Sequence, residues 1–65
     1  MQILTWQARS KKKLSLVALA KKSGISKSTL SNIENGKTSP TLNQLERIAK
    51  ALDMRISDLY ESEYK

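Results

Sequence analysis

The 65-residue sequence predicts an all-α protein, a compact bundle of roughly four to five short helices with a helix-turn-helix pair at about residues 15–35. Three observations carry that prediction. Leu16, Leu19 and Ala20, then Ile25, Leu30 and Ile33 after the turn, are the inward positions, and within each helix they recur at steps of three and four residues, the period of one buried helical face. Ser15 and Ser26 each stand just before such a run, where a hydroxyl accepts from the free N–H groups of a first helical turn. Gly24 lies between the two runs, at the residue that must turn left-handed, where a Cβ would cost energy. Two helices joined by a short Gly-containing turn form the unit whose second helix enters the major groove of DNA.

Taken in order, the first helix is expected from about Gln2 to Lys12, with Leu4, Thr5 and Ala8 inward. The second follows Ser15, and the small Ala20 on it lets the third cross close by. The third runs from Ser26 to Asn35. Thr41 with Gln44 makes a capping box that opens a fourth helix, with Leu42, Leu45, Ile48, Ala49 and Leu52 as its inward stripe. Asp53 ends that helix at a place where Gly would be more comfortable. A last short helix is expected to hold Ile56, Leu59 and Tyr60, followed by a loose tail from Glu61 to Lys65.

The third helix separates its two faces. Taking Lys27 as origin at about 100° per residue, Ser31 falls at about 40°, Asn35 at about 80°, Ser28 at about 100° and Asn32 at about 140°. Leu30 and Ile33 fall on the opposite side, at about 300° and about 240°. The polar arc holds a cation, amides and hydroxyls and no carboxylate; Glu34 lies at its border with the core. A polar arc alone is common on surface helices, so charge has to weigh in. Residues 1–37 carry eight of the twelve Lys and Arg and one of the six acids, net +7; residues 38–65 carry a net −1, giving +6 overall. The excess sits on the half that holds the helical pair, as expected of a face that attracts phosphates and releases counterions. For the run Lys11–Lys13, phosphate contact and a solvated helix end are both open.

With these residues in place, the sequence resembles the helix-turn-helix domains of phage repressors and their bacterial relatives, the Cro/C1 or XRE type. The matching motifs are LS at Leu14 and Ser15, LA at Leu19 and Ala20, and SGIS at 23–26. STLSNIENGK at 28–37, SPTL at 39–42 and IAKAL at 48–52 complete them, so the resemblance spans residues 3 to 60. It implies a lambda-repressor-like DNA-binding domain that docks on palindromic operators as a homodimer. By position it implies that Lys27, Ser28, Ser31 and Asn32 touch base edges, in accord with Asn pairing to adenine and Lys to guanine. It further implies that Ser26, Asn35, Gly36 and Lys37 meet phosphates, which fix register without reading sequence. Lys13 joins them as a candidate phosphate contact. Arg9 and Glu34 match a pair often bridged in this family, a structural ion pair rather than a DNA contact.

Two departures stand out. Relatives often have Gln at the first position of the second helix, where this chain has Leu16, so that contact is absent and the site is expected to be bound less tightly or read differently. Thr5 and Ala8 stand where relatives carry larger aliphatics. Trp6 lies about 200° from Leu4 on the first helix and is expected to be partly exposed, either at a partner interface or folded over a surface groove against Tyr60 or the tail.

Composition removes other classes. The chain has no Cys and no His, so disulfides, thiolate chemistry and the common zinc ligand sets are excluded, and no cofactor or metal is expected. The serines have no His partner for nucleophilic catalysis, and no enzyme is expected. Apolar runs are too short to span a bilayer and no signal-peptide pattern opens the chain, which points to the cytoplasm. The sequence thus reads as one domain over residues 1–65, a sequence-specific transcriptional regulator of double-stranded DNA, most simply a repressor. The alternative is a protein-interaction module on the same fold, antitoxin-like or coactivator-like, with Trp6 at its interface.

Overall fold

Three hydroxyls start three of the helices. Ser15 Oγ accepts from the Ala18 amide at 3.0 Å and opens the helix Leu16–Ser23. Ser26 Oγ accepts from the Thr29 amide at 3.2 Å and opens Lys27–Glu34. Thr41 Oγ1 accepts from the Gln44 amide at 3.0 Å while Gln44 Oε1 accepts from the Thr41 amide at 2.9 Å, the reciprocal capping box of Leu42–Leu52. The computed structural model describes residues 1–65. In chain order the elements are β1 (Gln2–Ile3), α1 (Thr5–Lys11), α2 (Leu16–Ser23), α3 (Lys27–Glu34), α4 (Leu42–Leu52), a single 3₁₀ turn (Ile56–Leu59) and β2 (Tyr60–Glu61).

Left-handed residues stop these helices. Gly24, at φ 72°, caps α2 and turns the chain into α3. Gly36, at φ 75°, follows α3 in a Schellman arrangement: the Lys37 amide donates to the Asn32 carbonyl at 2.9 Å and the Gly36 amide to the Ile33 carbonyl at 3.2 Å. Asp53 does the same duty for α4 at φ 55°, and Lys13 takes φ 56° in the loop after α1, both without glycine's freedom.

The core gathers Ala8, Leu19, Ile25, Leu30, Leu45, Ile48, Ala49, Leu52 and Leu59 into one cluster, with Leu14, Leu16 and Ala20 packed at its margin. α2 packs against both α3 and α4, and α1 closes on α3, α4 and the 3₁₀ turn. The helix-turn-helix pair is therefore held from behind by α4 and leaves one side of α3 open.

Four expectations are corrected. The first helix begins at Thr5 rather than Gln2, because Gln2 and Ile3 pair antiparallel with Glu61 and Tyr60. The Leu4 amide extends that ladder to the Leu59 carbonyl at 2.8 Å. By the same pairing Tyr60 leaves the last helix for a strand, and the tail is tied down: Lys65 Nζ donates to the Tyr60 carbonyl at 3.1 Å and lies 5.5 Å from the Tyr60 ring centroid. Leu42 is not part of the inward stripe, being 77% exposed. A helical side chain leans over the turn before it, and at the first position of α4 there is no such turn, so Leu42 projects past the core.

Candidate nucleic-acid interface

α3 is anchored by its apolar side. Leu30 and Ile33 are buried, which fixes the rotation of the helix and leaves Lys27 and Ser28 exposed and Ser31 and Asn32 half-buried. These four side chains line one groove of about 490 Å³, whose remaining wall is Leu16 at the start of α2. The groove thus brings together all four residues expected to touch bases.

The expected phosphate residues fall at the ends of α3. Ser26 precedes its first turn, with its hydroxyl also donating to Thr29 Oγ1 at 2.8 Å. Asn35 caps its other end and donates from Nδ2 to Ser31 Oγ at 3.4 Å, with Gly36 and Lys37 exposed just beyond. The turn at Gly36 is open on its outer side, since nothing lies within 4 Å of where a Gly36 Cβ would be. Lys13 is exposed in the loop after α1 and is not among the groove residues.

The acid at the border of the arc is withdrawn from it. Arg9 donates from Nε to Glu34 Oε2 at 2.8 Å and from Nη2 to Glu34 Oε1 at 3.0 Å, a two-pronged ion pair between α1 and α3. Arg9 Nη1 donates further to the Leu14 carbonyl at 2.9 Å, so the guanidinium ties both helices to the loop before α2. The hydrogen bond to Glu34 holds the Arg9 guanidinium above its ordinary pKa, against the opposing effect of burial. With the Glu34 side chain only 7% exposed, its charge is neutralised locally, and the groove keeps Lys27 as its charged wall.

Two features go beyond the expectations from sequence. Leu16, expected inward, both packs at the core margin and walls the groove. Its place at the first position of α2, where the side chain overhangs the helix end as Leu42 does on α4, is the signal that marks it. Arg47 of α4 reaches the helix-turn-helix turn, its Nη1 lying 3.9 Å from the position of a Gly24 Cβ. Trp6 is 53% exposed, as its position on the first helix predicts.

Comparison with known proteins agrees with this geometry. The helix-turn-helix family matches residues 7–59. The chain is 38% identical over 60 residues to the HTH-type transcriptional regulator SinR of Bacillus subtilis (strain 168), covering 91% of this chain and 54% of that protein. It therefore spans about half the length of this relative. The solved N-terminal DNA-binding domain of SinR from Bacillus subtilis matches at a TM-score of 0.81 and 34% identity, over 94% of this chain and 90% of that one. Fold and relatives are those of a DNA-binding regulator domain, not of an enzyme. A family match across most of the chain, joined to a capped helical pair that turns at Gly24, makes this chain a member of the helix-turn-helix family of Cro/C1, or XRE, type.

Proposed function

We propose that residues 1–65 form one DNA-binding domain and that the chain acts as a cytoplasmic transcriptional regulator that binds double-stranded DNA in a sequence-specific way, a repressor that occupies a palindromic operator as a homodimer with α3 in the major groove. The observation that carries this reading is the groove that gathers Lys27, Ser28, Ser31 and Asn32 on the basic half of the chain while Glu34 is held by Arg9. In it, Asn32 bonds adenine through N6 and N7, Lys27 reaches guanine O6 and N7, and the hydroxyls of Ser28 and Ser31 bond either kind of edge. Ser26, Asn35, Gly36, Lys37 and Lys13 hold phosphates and set the register of α3 along the groove. The likeness to the SinR domain, which is DNA-binding, supports extending that activity to this chain.

A second reading, a protein-interaction module on the same fold, is favoured by the exposed Trp6, since Trp is enriched at binding hot spots. Selection from a random double-stranded DNA library separates the two. Enrichment of an inverted repeat with half-sites about 10 base pairs apart is the expected result. Salt-sensitive retention with no enriched sequence would remove the operator reading and leave the protein partner in its place.

A further inference from the structure

Leu16 is the one apolar side chain in a groove otherwise lined by Lys27, Ser28, Ser31 and Asn32. We infer that Leu16 reads a thymine, by packing against its C5-methyl group in the major groove; this rests on the proposed DNA-binding reading and adds to it the base that α2 selects. Among the groups that base pairs present in the major groove, the thymine methyl is apolar and the others named in its code are donors and acceptors. An isopropyl wall complements that methyl. Set against a purine N7 it would strip water from an acceptor and return no hydrogen bond, and that penalty excludes the wrong base.

Position and stiffness both suit the role. Leu16 is the first residue of α2, directly after the Ser15 cap, so its backbone is fixed by the helix start. One side of its side chain packs at the margin of the core cluster and the other faces the groove, which leaves it partly exposed. A side chain already ordered by the core loses little freedom when a base docks against it. The thymine it selects lies in the same half-site as the bases met by Lys27 and Asn32, because all three residues line one groove.

The test replaces thymine by deoxyuridine, which removes the methyl and keeps the Watson–Crick edge. The operator enriched from the random library is resynthesised with each thymine of a half-site changed in turn, and affinities are measured for the wild-type chain, Leu16→Ala and Leu16→Gln. For the wild type, one substitution is expected to weaken binding about fourfold, the equivalent of about 0.8 kcal/mol for one buried methyl at about 1.4 kcal/mol per factor of ten. In both variants that penalty is expected to vanish while penalties at other thymines persist. Each comparison is a ratio between two DNAs on one protein preparation, so partial unfolding of a variant cancels. Equal penalties in the wild type and the variants, or none in the wild type, would overturn the role of Leu16 and leave operator binding intact. Failure of the library to enrich any sequence would remove the operator reading and this inference with it.

Discussion

At the residue scale the interface divides labour between the groove and the turn that follows α3. Asn32 offers a paired donor and acceptor from half-buried, well-held backbone, whereas Lys37 offers a point charge from an exposed position after Gly36. Asn32→Ala is therefore expected to cost about 1 to 3 kcal/mol on the operator and to relax preference at one base position. Lys37→Ala is expected to weaken binding to all sequences alike and to lower the salt slope by about one, as titrations on operator and random DNA would read out. Equal effects of both variants on both DNAs would sink this division. Away from the groove, Thr5 is 1% exposed and its Oγ1 has no hydrogen-bond partner. Thr5→Val keeps the shape and removes the stranded hydroxyl, so it is expected to stabilise the fold by about 1 kcal/mol, seen as a higher urea midpoint at unchanged slope.

At the scale of elements, helix starts and stops set the orientation of α3. Ser15, Ser26 and Thr41 were legible as caps because each acts on an amide three residues along, a signal contained within one turn. Asp53 was legible too, as the wrong residue for a left-handed stop. At φ 55° it lacks glycine's freedom, and its carboxylate sits at the negative end of α4. Asp53→Gly is expected to gain about 1 kcal/mol, a rise in Tm of about 4 to 8 °C for a domain of this size. The Arg9–Glu34 bridge works in the other direction, joining α1 to the end of α3. Removing either partner leaves a largely buried charge alone, so Arg9→Ala or Glu34→Ala is expected to cost about 3 to 5 kcal/mol. Because the two act as a pair, the double variant is expected to lose clearly less than the sum, which denaturant titration of all four chains measures. Losses that add would mean that the bridge contributes nothing of its own.

At the scale of the whole molecule, the basic half carries the groove and the near-neutral half carries the scaffold behind it. If Lys13 and Lys37 of both protomers neutralise phosphates, log affinity is expected to fall against log salt with a slope of at least about 3.6 in magnitude, at about 0.9 per phosphate. A slope of half that size on the operator would point to a single protomer on the DNA. A chain of this length has about 3 to 10 kcal/mol of stability in all, so operator binding also raises its resistance to heat by mass action. The two-stranded ribbon belongs to this scale as well, since it joins Gln2 and Ile3 to Glu61 and Tyr60 across nearly the full length of the chain.

That ribbon marks the boundary between what sequence and tertiary structure decide. The sequence by itself determined the helix periods, the hydroxyl caps, the turn at Gly24 and the polar arc of α3, because each depends on neighbours within a turn or two of chain. Tertiary structure decided the start of α1, the strand at Tyr60, the exposure of Leu42 and the two-sided place of Leu16. Each of those depends on what lies across space at the end of a helix or the edge of the core. A periodic pattern names the face of a helix that is apolar, but the length of the opposing element settles how far along that face burial extends.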